Sequence, residues 1–120
     1  MKRKNPEMII FVSAPTKGVV VDGELTPQFL KRIAQLHMDY PEHTFIVPMI
    51  HGYALLKYME TDPTWEHWGK YCKNLIDVSD ESWVLMYDGW KTSTGVTDEI
   101  ALSVTFEKPV RFIPILVDGE

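Results

Sequence analysis

Trp83-Val84-Leu85-Met86-Tyr87-Asp88-Gly89-Trp90-Lys91-Thr92-Ser93-Thr94-Gly95-Val96-Thr97-Asp98-Glu99-Ile100 reads as an apolar strand, a loop rich in Gly, Ser and Thr, and a helix that opens with two acids. In an open α/β sheet that order places small polar groups and carboxylates at the carboxyl end of a strand, where such sheets bind ligands. The helix is predicted over residues 95–106, and Lys108-Pro109 is a natural junction to a last strand over 110–115. Upstream, Trp65, Trp68, Tyr71, Cys72, Leu75 and Ile76 recur at helical spacing. Asp62-Pro63 reads as the cap and first residue of that helix.

The same alternation runs back to the start of the chain. Met8-Ile9-Ile10-Phe11-Val12 is a continuous apolar run of the kind buried on both faces of a parallel sheet. The loop Ser13-Ala14-Pro15-Thr16-Lys17-Gly18 follows it, then a short extended segment over 19–21 and a turn at Asp22-Gly23. Thr26-Pro27 caps a helix predicted over 27–40, with Phe29, Leu30, Ile33, Leu36 and His37 on one stripe. Residues 44–50 read as a second strand, ended early or held at an edge by Pro48. Residues 51–61 fit either a short helix or a structured loop. The order β-α-β-α-β-α-β predicts a three-layer, doubly wound α/β domain of the Rossmann or flavodoxin type, with a mainly parallel sheet of four or five strands. Residues 8–120 are expected to form that single domain and residues 1–7 a flexible tail.

The bulk properties narrow the function classes. At 120 residues the chain suits one domain, and 45% hydrophobic with 24% charged residues is ordinary for a water-soluble one. A net charge of −5 argues against a nucleic-acid polymer or an anionic membrane as partner. The one basic cluster, Lys2-Arg3-Lys4, belongs to the tail; no convincing signal-peptide cleavage motif follows the first apolar run, and no stretch reaches the ~18 apolar residues of a membrane span. A single cysteine, Cys72, excludes an internal disulfide and fits a reducing compartment, so a cytoplasmic location is expected. The four histidines have no metal-ligand spacing and Cys72 has no CxxC partner, so neither a metal nor a cofactor is expected.

If the first and third strands are neighbours, their following loops face each other across one crevice. Ser13, Thr16, Lys17 and Gly18 on one side, with Asp88, Ser93, Thr94 and Gly95 on the other, offer hydroxyls, backbone N–H groups and an ammonium. With a helix amino terminus near Gly95 that set suits a phosphate, although Gly/Ser/Thr loops are common at strand-to-helix junctions and neither GxxxxGK[ST] nor GxGxxG is present. Asp98 and Glu99 either offset the helix dipole or serve as nucleophile or general acid/base. Val96, Ile100 and Val104 share the face expected to bury, which leaves Glu99 at its border, Asp98 further out, and Glu99 the better candidate. His51 follows the second strand at the same edge, as a structural or a site histidine. No GxSxG elbow supports a Ser-His-Asp triad.

The segments Phe11-Val12-Ser13-Ala14-Pro15, Trp65-Glu66-His67-Trp68, residues 83–100 and Lys108-Pro109-Val110 resemble the nucleoside 2-deoxyribosyltransferase-like superfamily, in a branch of small proteins. The resemblance implies cleavage of an N-glycosidic bond in a (deoxy)nucleoside or its 5′-monophosphate, with a carboxylate attacking the anomeric carbon. It assigns the nucleophile to Glu99, four residues after Gly95. It assigns Ser93, six residues before Glu99, to a 5′-phosphate, because a hydroxyl donates to a phosphate that an aspartate would repel. Two positions depart from the family: Ile10 and Thr16 stand where a tyrosine would position the glutamate, and Cys72 stands where an aspartate would protonate the departing base, leaving Asp77 or Asp80 as substitutes. The resemblance therefore implies an N-glycosidase or deoxyribosyltransferase, with a non-catalytic nucleotide-binding or sequestering protein as the alternative. It also implies a homo-oligomer, dimer or tetramer.

Overall fold

Every strand of the main sheet runs in the same direction, with Thr44–Ile46, Ile9–Ser13, Glu81–Leu85 and Val110–Ile113 side by side in that order. The computed structural model describes residues 7–61 and 63–115, and only the backbone of Trp65. The tail predicted at the amino terminus thus lies almost wholly outside the described residues, as do Lys2-Arg3-Lys4 and Asp62. In chain order the elements are β1 (Ile9–Ser13), β2 (Val20–Val21), β3 (Glu24–Leu25), α1 (Pro27–Asp39), β4 (Thr44–Ile46), α2 (Pro48–Leu56), α3 (Trp65–Val78), β5 (Glu81–Leu85), a 3-10 turn (Trp90–Thr92), α4 (Thr94–Thr105) and β6 (Val110–Ile113).

The register makes β1 and β5 direct neighbours, with Ile10 opposite Glu81 and Ser13 opposite Val84. All of β5 and the last four residues of β1 are buried, including the polar Ser13, Glu81 and Ser82, as central strands of a parallel sheet covered on both faces are. The pleat divides their side chains. Ile10, Val12, Trp83 and Leu85 pack with Phe29, Ile33 and Leu36 of α1 and with Phe45 of β4. Each such side chain contributes roughly 1.5–3 kcal/mol by leaving water. Phe11, Ser13, Ser82 and Val84 alternate with them and so face the layer of α3 and α4. The sheet is therefore the middle of three layers.

Local signals explain most element ends. The Thr26 hydroxyl accepts the Phe29 N–H at 3.2 Å and Pro27 occupies the first turn of α1. Asp22 and Gly23 both have positive φ, 52° and 78°, and close the two-residue β2–β3 hairpin; the twist of such hairpins demands those values. Three expectations change. The strand expected over 44–50 stops at Ile46, because Pro48 cannot donate to a ladder and instead opens α2. The helix expected to be capped at Asp62 is capped by Thr64, whose hydroxyl accepts the His67 N–H at 3.2 Å. The buried face expected of α4 ends early: Val96 is buried but Val104 is 64% exposed, and Ser103 lies against the sheet instead.

Ser103 explains that rotation. Its hydroxyl is 2.7 Å from that of Ser82 on β5 and donates to the Glu99 carbonyl at 2.7 Å. A small side chain lets α4 approach the strand closely, so the sheet-facing stripe becomes Val96, Glu99 and Ser103. Among the described residues no helix is long and apolar enough to cross a membrane.

Candidate functional site

A cavity of about 610 Å³ opens at the carboxyl ends of β1 and β5. One wall is the loop after β1, including Thr16 and Lys17, and a second is the segment from Gly89 to Gly95 that leads into α4. Met49, Gly52, Tyr53 and Leu56 of α2 form a third, apolar wall, joined by Trp68 and Cys72 of α3. Glu99 also lines this cavity. Strand order produces the arrangement: the chain leaves β1 toward β4 on one side and returns to β5 on the other, which opens a crevice between the two loops.

The loop segments form a polar rim. Ser93 caps α4 by accepting the Val96 N–H at 3.2 Å, and the first intrahelical bond runs from Thr97 N–H to the Ser93 carbonyl at 2.9 Å. Thr94 and Gly95 precede that bond and line the cavity, at the helix end where backbone N–H groups lack intrahelical partners. Lys17 Nζ lies 3.5 Å from Asp88 Oδ2 across the mouth. Both side chains are largely exposed, and a surface pair of that kind contributes at most about 1 kcal/mol, so the ammonium is available to an anion. Gly89 beside it has φ 88°, and a Cβ there would stand 3.2 Å from the Lys17 side chain.

Below the rim, the Ser13 hydroxyl donates to Oε1 of Glu99 at 2.5 Å. The Cys72 side chain forms a second hydrogen bond to the same carboxylate. Burial pushes the Glu99 carboxyl up; donation from Ser13 and Cys72 holds it back, while the nearby charge of Asp98 adds to the rise, leaving it at about 7. Burial, reinforced by the charge of Glu99, pushes the Cys72 thiol up to about 12. Cys72 is therefore a protonated donor at neutral pH rather than a nucleophile.

Glu99, Thr16, Lys17, Ser93 and Gly95 thus come together on the cavity lining, with Ser13 behind Glu99. Asp88 sits at the mouth through its pairing with Lys17, whereas Gly18 is exposed outside the lining. Two residues considered for the site have other surroundings. His51 lies within α2, exposed, with its ring stacked on Tyr71 at 5.5 Å, because the segment is helix rather than the end of a strand. The Asp80 carboxylate accepts the Ile9 N–H at 2.7 Å, tying β5 to β1 at the opposite edge of the sheet. Sequence reasoning missed the α2 wall and the direct partnership of Cys72 with Glu99. Trp68, read in the sequence as part of a helical stripe, lines the cavity.

No known protein family, curated protein or solved structure matches this chain. Among the described residues there is no group of three or more His, Cys, Asp or Glu side chains able to hold a metal ion. The cavity presents the Glu99 carboxylate with Cys72 and Ser13 beside it, and a rim that carries the Thr16, Thr92, Ser93 and Thr94 hydroxyls and the Lys17 ammonium.

Proposed function

We propose that the cavity takes a (deoxy)nucleoside 5′-monophosphate and that Glu99 cleaves its N-glycosidic bond. The observation that carries this reading is that Ser93 and Glu99, on one helix, line one cavity. Six residues at ~1.5 Å rise separate them by about 9 Å along the axis, close to the length of a sugar phosphate. A phosphate at the rim receives the α4 amides, the Ser93 hydroxyl and the Lys17 ammonium. The sugar then lies over Glu99 and the base against Tyr53 and Trp68, whose faces suit stacking. The volume is that of a small-molecule site.

In this reaction a Glu99 oxygen attacks the anomeric carbon and the C1′–N bond breaks with its electron pair going to the base. Water then attacks the same carbon and releases Glu99, its proton passing through solvent to the departed base; in transfer a second base attacks instead and gives up its own N–H proton. The attacking form is the anion, so Glu99 must lose its proton first. The test is incubation with a panel of (deoxy)nucleoside monophosphates, with free base measured by chromatography and a glycosyl adduct on Glu99 sought by mass spectrometry. Base release that disappears in Glu99→Gln supports the reading; no base and no adduct from any member of the panel ends it.

One observation favours a second reading. Glu99 is the sole carboxylate on the cavity lining among the described residues, so no second carboxyl stands there to protonate a leaving base. A protein that binds and sequesters a nucleotide without cleaving it needs none. That reading expects the nucleotide to raise Tm and to be recovered unchanged. Both readings carry the expectation of a homo-oligomer, which light scattering measures directly.

A further inference from the structure

The Glu99 carboxylate is held by side chains from two other elements. Ser13 ends β1 and is only 2% exposed, at a strand position where an apolar side chain would suit the core. A buried hydroxyl costs stability unless it is paired, and its partner is Oε1 of Glu99. Cys72 lies on α3 four residues after Trp68 and four before the fully buried Ile76, a stripe that faces inward at one end and lines the cavity at the other. No buried side-chain nitrogen or oxygen among the described residues is without a partner, so Ser13 and Glu99 are mutually satisfied.

We propose that Ser13 and Cys72 are positioning residues, a pair of donors from β1 and α3 that fixes the orientation of the Glu99 carboxylate and stabilises its anion. This rests on the reading that Glu99 attacks the anomeric carbon of a bound nucleotide. Ser13 and Cys72 keep their protons throughout; the bonds made and broken remain those at that carbon. Two donors from different layers leave the carboxylate little freedom to rotate, and charge-assisted bonds strengthen as the group ionises. Asp98 on the same helix opposes the anion. Lys17 from the β1 loop and Tyr53 from α2 are the other titratable groups on the shared lining.

The experiment uses the full chain with Ser13→Ala, Cys72→Ala, Cys72→Ser and Glu99→Gln. Turnover of deoxynucleoside monophosphates is measured from pH 5 to 9. In parallel, carbon-13 NMR of protein labelled at the glutamate carboxyl follows the Glu99 titration, assigned by its loss in Glu99→Gln. Removing either donor is expected to lower kcat roughly 10- to 100-fold with KM within about threefold, and to move the rising limb of the pH profile to higher pH. Cys72→Ser, which retains a donor, is expected to keep most of the rate. Unchanged kcat and pH profile in both alanine variants overturn the proposal. If no nucleotide is turned over, the enzymatic reading falls and the NMR titration decides this one alone. A midpoint raised in both alanine variants sustains the donor pair, and midpoints equal to wild type overturn it.

Discussion

The hydroxyl of Ser13 meets the carboxylate of Glu99 at 2.5 Å across 86 positions of sequence, joining the end of the first strand to the second turn of the last helix. A carboxylate in that place would otherwise be an uncompensated charge against the sheet. Its ionisation state is therefore coupled to folding, and that coupling is measurable.

Glu99 has a carboxyl raised from 4.5 to about 7 in the fold. The folded chain holds this proton more tightly than the unfolded one, so stability is fullest below pH 4.5 for this group and declines as pH rises toward 7. At about 1.4 kcal/mol per pH unit the window holds roughly 3 kcal/mol. Glu99→Gln is expected to flatten that decline and to raise stability above pH 7 relative to wild type. Urea denaturation at pH 5 and pH 8 checks both parts; equal pH dependence in the two proteins would contradict the coupling.

Glu81 behaves in the opposite sense. Burial drives its carboxyl upward, but the hydrogen bond from the Arg111 guanidinium, with that from the Trp83 indole and the charge of Arg111, outweighs burial and holds it below the usual range. The stability this group contributes is present above its unfolded value and is lost as pH falls through the lowered one. Arg111→Ala leaves a 7% exposed carboxylate short of a partner and is expected to lower stability at pH 7. The loss should shrink in acid, as seen in Tm measured from pH 3 to 7.

Ser82 and Ser103 form a buried hydroxyl pair at 2.7 Å between β5 and α4. Ser103→Ala alone strands the Ser82 hydroxyl, at about 1–3 kcal/mol. Adding Ser82→Ala removes the stranded group, so the double variant is expected to be no less stable than Ser103→Ala. A double-mutant cycle by denaturant titration gives the coupling directly; simple additivity would mean the hydroxyls do not interact.

Gly52 lies inside α2, and a Cβ there would sit 3.4 Å from the Trp68 ring. Alanine fits that space and improves helix propensity by about 1 kcal/mol, so Gly52→Ala is expected to hold or raise Tm. Leucine extends into the cavity and is expected to abolish any nucleotide-induced rise in Tm while the circular dichroism spectrum stays that of wild type. Retained ligand stabilisation in Gly52→Leu would place the ligand elsewhere.

The sheet and the crevice were legible because the signals for them are local or topological. Apolar runs at Ile10 and Val84 announced strands buried on both faces, and Thr26-Pro27 announced α1. What escaped was set by tertiary packing. Helix α2 is apolar on nearly every side, so it has no period to read, and Pro48 serves equally as strand breaker and helix opener. Val104 resembles a core residue by type, but the close approach allowed by Ser103 turns it outward. Cys72 carries no motif that points to Glu99; only the packing of α3 beside α4 creates their contact.

Strand order has a kinetic consequence. Two of the cavity walls are the loop after β1 and the segment that follows β5, and the others come from α2 and α3 between them, so the pocket does not exist until that chain has folded and β5 has docked beside β1. A ligand has nothing to hold in earlier, partly assembled forms. Its presence during refolding should therefore leave the folding rate unchanged and slow unfolding instead, making occupancy a lock fastened after assembly rather than a nucleus for it.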